Sequence, residues 1–175
     1  NENIDKVEKL EGDHQAYQYL LEAIKRDGVP YDLISKSLPT IEGAVNDILA
    51  QIVDFNIVFN MDGKQIDTHI VYDDDRVWPL ELSSGMERFV SSLAIRVGLM
   101  NVSNLPRSNF LAIDEGWGTM DSENLNSVAQ LFQYLKSQFQ FSFVVSHIES
   151  MRDFVDTLLE IKKVSGSSSV RFSRD

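Results

Sequence analysis

The sequence predicts an α/β fold, and three observations carry that reading. A chain of 175 residues, with 43% hydrophobic and 25% charged types, can bury a core and has a globular composition. Its second half alternates unbroken apolar runs with helical patterns: Phe110 to Ile113, then a stripe from Leu125 to Leu135, then Phe141 to Val145. Strand, helix, strand with unbroken apolar strands is the pattern of a buried parallel sheet. Both runs also stop abruptly in polar residues, Asp114-Glu115 and Ser146-His147, where ligands gather in open parallel sheets.

The elements follow in order. From about Ile4 to Arg26, apolar or semi-polar positions Ile4, Val7, Leu10, His14, Tyr17, Leu21 and Ile24 recur at helical spacing. The steps from Leu10 to Ile24 alternate four and three, the rhythm of a coiled-coil seam, although a lone amphipathic helix fits as well. Gly28 and Pro30 stop that helix. A second helix covers Leu38 to Ile52, with Pro39 at an early position and Ile41, Val45, Ile48, Leu49 and Ile52 as the buried face. Asn56 to Tyr72 reads as a hairpin around Asp62-Gly63. Asp73 to Asp75 make a solvated acidic turn before Trp78 and Pro79. A helix from Gly85 to Met100 comes next. After the strand Phe110 to Ile113, Asp121 or Ser122 caps another helix. Following Phe141 to Val145, a brief helix near Ser150 to Val155 and strands Leu158 to Lys163 and Val170 to Phe172, around Gly166, close the chain. The organisation is a helix over 1–27 and one lobe over 28–175.

Composition narrows the function classes. Sixteen Lys and Arg against 27 Asp and Glu leave a formal charge of −11, which argues against a surface built wholly for nucleic acid. The chain has no Cys, so thiolate zinc sites, disulfide scaffolds and cysteine nucleophiles are excluded. No apolar run reaches the roughly 20 residues that span a bilayer. Asn1 to Asp13 is too polar and acidic for a signal peptide. The expectation is an intracellular protein of a reducing compartment, in cytoplasm, nucleoid or nucleus, with no membrane partner. The absent initiator Met suggests a fragment or a processed product.

Three constellations bear chemistry. Adjacent acids after a strand can divide roles, because successive side chains point differently: one holds a hydrated magnesium ion, the other orients or deprotonates water. Asp114-Glu115 suits this, and equally suits an ordinary acidic loop start. His147, by itself a loop histidine, gains interest because it shares a sheet edge with that pair. Leu82-Ser83-Ser84-Gly85-Met86-Glu87 stands directly before a helix, where exposed backbone N–H groups and the helix dipole favour phosphate, and where Ser or Gly also serves as a simple cap. The phosphate loop G-x-x-x-x-G-K-[ST] is missing; the nearest imitation, Gly63-Lys64, is followed by Gln65 and belongs to the hairpin.

Taken in order, Leu82-Ser83-Ser84-Gly85, Phe110 to Glu115, Gly118-Thr119-Met120-Asp121 and Val144-Val145-Ser146-His147 resemble the signature motif, Walker B, D-loop and H-loop of an ABC-type ATPase head. The spacing and the N-terminal helix resemble the SMC/SbcC branch, in which a long coiled coil splits the head. Asp114-Glu115-Gly116-Trp117 is most similar to double-strand-break repair ATPases, particularly viral and phage forms. The resemblance covers about residues 1 to 173 and implies the C-terminal lobe of such a head, with parallel core strands, flanking helices, a β-hairpin and the base of a coiled coil. The P-loop would then lie on an N-terminal lobe.

The resemblance implies roles residue by residue. Asp114 would help hold Mg2+, Glu115 would polarise the attacking water, and His147 would contact the γ-phosphate of ATP. Asp121 would act across the dimer. Ser83, Ser84 and Gly85 would meet ATP held by a second head of a homodimer. Further partners implied are the P-loop lobe, a nuclease subunit and DNA. Three departures stand out: Ser84 replaces a usual Gly, Met86 stands where Glu, Gln or Lys is common, and Gly116-Trp117 replaces a Pro-containing step. The rival readings are a chromosome-organising SMC-type lobe, a stand-alone metal-dependent hydrolase using Asp114, Glu115 and His147, and an inactive binding module.

Overall fold

The computed structural model describes residues 2–25, 27–62, 65–73, 76–117 and 125–174. Helix α1 spans Glu2–Ile24 and helix α2 spans Val29–Leu49. A three-stranded antiparallel sheet follows: β1 (Asn56–Asp62), β2 (Gln65–Asp73) and β3 (Arg76–Pro79), in that spatial order. A 3₁₀ turn, Leu80–Leu82, leads into α3 (Gly85–Val102). Next come β4 (Phe110–Asp114), α4 (Leu125–Gln138) and β5 (Phe141–Val145), with β4 and β5 paired in parallel. A second 3₁₀ turn, Glu149–Phe154, precedes the hairpin of β6 (Thr157–Val164) and β7 (Ser167–Arg174).

The structure corrects the sequence expectations at three places. First, α2 begins at Val29, well before Leu38. Pro30 starts this helix, because a first-turn residue has no N–H bond to lose. Pro39 lies inside it, where the missing N–H costs a helix bond, and packing of the following turns on α3 supports the break. Second, Asp73 ends the strand β2, and the stretch around Trp78, to which the sequence reading gave no element, is the strand β3; Trp78 pairs with Ile70 in register, while Asp74 and Asp75 lie outside the described residues. Third, among the described residues the parallel sheet has two strands and is buried on one face only. Leu111, Ile113, Ser142 and Val144 face inward, whereas Phe110, Phe141, Phe143 and Val145 remain exposed. Their side chains alternate across the strands, and among the described residues nothing covers the second face.

The core sits where α2, α3 and the antiparallel sheet meet. Val45, Leu49, Ile57, Ile70, Val90 and Val97 are fully buried there. Asn46 of α2 takes both backbone groups of Ile57, at 2.8 and 2.9 Å, and Glu42 accepts the Phe59 N–H at 2.8 Å. These side chains occupy edge groups of β1 that would otherwise offer pairing to another strand. Helix α1 contrasts with this core. Its described residues from Asn3 to Glu22 are all exposed, and the stripe Ile4, Val7, Leu10, Tyr17, Leu21 and Ile24 has no cover among the described residues. Also among the described residues, no helix is long and apolar enough to cross a membrane.

Candidate functional site

Parallel pairing brings the polar ends of β4 and β5 together. Register places Asp114 opposite Val145, so Glu115 and Ser146-His147 leave the sheet side by side. The Glu115 N–H donates to the Val145 carbonyl at 3.1 Å. Ser146 Oγ accepts from the Ile148 N–H at 3.1 Å, which curls the chain and leaves His147 at the tip of the bend. As a result, Oε1 of Glu115 stands 4.0 Å from Nδ1 of His147. Both side chains are largely exposed.

The backbone at Glu115 is unusual. Glu115 has φ of +61° and Gly116 has φ of +96°. A left-handed glutamate costs about 1 kcal/mol or more and persists only where its surroundings enforce it. Directly after this turn stands Trp117, which is 1% exposed. Its ring meets Phe89 of α3 at 4.7 Å and stacks on Phe132 of α4 at 5.3 Å; Phe132 in turn stacks on Phe154. Sequence reasoning marks Gly116-Trp117 as a departure from the family pattern but assigns it no role. The available signal is a tryptophan beside a glycine directly after a strand-end acid pair.

The segment before α3 resolves into two serines with different duties. Ser84 is the N-cap: its Oγ accepts from the Glu87 N–H at 3.3 Å, while Glu87 accepts the Ser84 N–H at 2.6 Å. This closed capping box leaves the Ser84 hydroxyl engaged. With φ of −64° and ψ of 163°, Ser84 needs none of glycine's freedom, so a serine fits where the family has glycine. Ser83 does not cap the helix. It is buried, and its hydroxyl donates to the Leu80 carbonyl at 2.7 Å. Met86 is in the core, which accounts for its apolar character. Glu87 also accepts from the Tyr72 hydroxyl, tying the sheet to the helix start. An open groove of about 450 Å³ runs beside this junction, lined by Phe55, Tyr72, Ser84, Glu87 and Ser127.

Metal-binding capacity can be judged from the donor set. Among the described residues there is no group of three or more His, Asp or Glu placed to hold a metal. The strand-end carboxylate of Asp114 is exposed. One such carboxylate fits a magnesium ion that takes its remaining ligands from phosphate and water, not an all-protein cage. Asp121, together with Gly118-Thr119-Met120, lies outside the described residues.

The chain matches no family model. It is 35% identical over 170 residues to an uncharacterized protein of Acanthamoeba polyphaga mimivirus, covering 88% of this chain and 13% of the relative. It is 33% identical over 96 residues to SbcC of the nuclease SbcCD from Staphylococcus aureus, covering 53% of this chain and 10% of SbcC. Among solved structures, the Smc head of Pyrococcus furiosus, with an extended coiled coil and bound to the C-terminal domain of ScpA, aligns with a TM-score of 0.66. That match is 18% identical and covers 97% of this chain and 43% of the other. The SMC head of Thermotoga maritima aligns with a TM-score of 0.57 at 21% identity, covering 82% and 51%. The chain resembles the head domains of SMC and SbcC ATPases. It spans about an eighth or less of the curated relatives it matches. The alignment to the Pyrococcus furiosus structure takes in nearly the whole chain, sheets and helices together.

Proposed function

We propose that the chain is the C-terminal lobe of a split ATPase head that hydrolyses ATP between two heads, and that the longer protein regulates DNA double-strand-break end processing with a nuclease subunit. The observation that carries the reading is the approach of Glu115 to His147 at the carboxyl ends of adjacent parallel strands. A carboxylate there orients and deprotonates a water, and a neighbouring imidazole donates a hydrogen bond to a phosphate oxygen. Asp114 would hold the magnesium ion of a bound nucleotide, and that ion, when present, offsets phosphate charge. Ser83 and the N-terminus of α3 would meet the nucleotide of a second head, since backbone N–H groups at a helix start favour anions. The bare face of Phe110, Phe141, Phe143 and Val145 is the natural seat for a P-loop lobe, and the α1 stripe for a returning coiled-coil strand.

Identity to SbcC of the SbcCD nuclease supports the nuclease-partnered reading over a chromosome-organising one, whose support is likeness of fold to Smc heads. The stand-alone metal hydrolase gains no support from the donor set among the described residues. The test is Glu115→Gln in the full-length protein, which keeps shape while removing the base and its charge. Expected are retained ATP binding, closed dimers accumulating with ATP on size-exclusion chromatography, and turnover reduced by about 100-fold or more. Turnover at the normal rate would remove Glu115 from the mechanism and the reading with it.

A further inference from the structure

Trp117 has no part in the proposed hydrolysis, yet it is the most deeply set aromatic beside the site. Four observations converge on it. Its side chain is 1% exposed, although it follows two exposed residues, Glu115 and Gly116. Those two residues both carry positive φ, so the chain turns sharply inward to bury the indole. The ring packs on both Phe89, tilted at 4.7 Å, and Phe132, stacked at 5.3 Å, which belong to different helices. A Cβ added at Gly116 would stand 2.6 Å from Phe89 Cε2, so Phe89 closes the passage to anything but glycine.

Phe89 lies one turn beyond Gly85 on α3, the helix whose start carries Ser83 and Ser84. Phe89 therefore joins α3 to both the indole and the Gly116 backbone, directly beside the left-handed Glu115. Packed aromatic rings transmit a shift of α3 because the interior has no slack to absorb it. We propose that Trp117 is a positioning residue: packed on Phe89 and Phe132, it holds the Glu115 elbow in register with His147 and couples that register to the position of helix α3. The inference rests on the role given to Glu115 above. Acting through geometry, the indole sets how well Glu115 meets a water and contributes nothing to nucleotide affinity.

The test uses the full-length protein with its P-loop lobe, and follows kcat, KM for ATP and ATP-dependent dimerisation in parallel. Trp117→Leu keeps an apolar filling but loses the planar wedge, and should lower kcat by about 10- to 100-fold, the effect of a misplaced catalytic group. KM and dimerisation should stay within about twofold, as for an independent step. Trp117→Phe, which keeps a stacking ring, should recover most of kcat. Combined with Glu115→Gln, Trp117→Leu should slow turnover no further than Glu115→Gln alone, because both act on one group. A merely structural role would instead lower dimerisation and kcat together, with Leu and Phe alike, and would add fully to Glu115→Gln; that result overturns the proposal. Should the Leu variant fail to fold, Trp117→Met takes its place: wild-type kcat in Trp117→Met would overturn the proposal, and a kcat loss at constant KM that Trp117→Phe recovers would support it. The two readings fail separately. A slow Glu115→Gln beside a Trp117→Leu or Trp117→Met variant of normal kcat refutes the positioning alone, whereas normal turnover in Glu115→Gln refutes both.

Discussion

The Tyr72 hydroxyl donates to Glu87, the same carboxylate that accepts the Ser84 N–H and closes the capping box of α3. This one carboxylate joins the antiparallel sheet to the start of α3, beside Ser83 and Ser84. Burial and the bond to Glu87 push the Tyr72 phenol up to about 12. Burial alone would raise the Glu87 carboxyl, but the bonds from Tyr72 and Ser84 outweigh it and hold that carboxyl below its usual range.

This junction should make local stability depend on pH at both ends of the scale. A depressed carboxyl contributes stability above its unfolded value, and that contribution is lost as pH falls through the folded value. A raised phenol contributes below its unfolded value near 10, and loses its contribution as pH rises from there towards about 12. Amide exchange at the start of α3 should therefore be slowest between about pH 5 and 10 after correction for intrinsic rates. Glu87→Gln should flatten the acid flank, and Tyr72→Phe the alkaline flank. Unchanged flanks in both variants would remove this junction as their cause.

Ser83 and Ser84 should separate in experiment. Ser84→Ala opens the capping box and should cost about 1 kcal/mol of stability, with ATP-dependent closure of full-length heads retained. Ser83→Arg leaves that cap intact, because Ser83 bonds to Leu80 and not to the helix. In the proposed dimer it should block close approach of the opposite nucleotide, so that each head still binds ATP but closure and hydrolysis are lost. Denaturant melts, nucleotide binding and dimerisation on both variants check this. Normal dimerisation in Ser83→Arg would withdraw the signature assignment.

A packing prediction concerns α2 and α3. A Cβ at Gly98 would stand 2.7 Å from Val45 Cγ2, and Val45 is fully buried and stiff at its branch. Overpacking typically costs about 1–3 kcal/mol, and the better helix propensity of alanine returns up to about 1. Gly98→Ala should thus destabilise by about 1–2 kcal/mol. Val45→Ala alone should destabilise too, by leaving a cavity. The double variant should be more stable than the sum of the single changes implies, because each relieves the other. Additive losses in denaturant melts would show that the two side chains do not compete for the same space.

Much of this was legible in the sequence because it rests on local periodicity. The strands β4 and β5 were visible as apolar runs, and the polar ends that place Glu115 beside His147 followed from their parallel order. What escaped rests on distant partners. Pro39 reads as a helix start by local rules, yet sits inside α2 because α2 packs on α3. Strand β3 is short and depends on pairing with β2. The exposed face of the parallel sheet could not be read at all, since an apolar strand has the same sequence whether its second cover comes from its own chain or from another. Trp117 reads as a generic aromatic until its two neighbours on α3 and α4 are known.

The exposed face of the parallel sheet should be where a P-loop lobe seats. Phe110 and Phe141 stack at 5.5 Å, 48% and 58% exposed, and continue into Phe143 and Val145 beside the Glu115 end of the sheet. The sequence supplies Asp114, Glu115 and His147 but lacks the loop that cradles nucleotide phosphates. Phosphate cradling supplies much of nucleotide affinity, so the isolated chain should bind ATP weakly and release no phosphate from it. Adding the P-loop lobe in trans should protect β5 amides from exchange, lower the binding of a hydrophobic dye, and bring on ATP turnover together. Phe143→Lys should prevent all three, because a charge at the centre of an apolar contact leaves an unpaired cation in the interface. Calorimetry, phosphate release and exchange on the chain with and without the added lobe make the measurement. Micromolar binding with turnover by the chain alone would overturn the two-lobe reading, and turnover restored without protection of β5 would show that the lobe seats elsewhere.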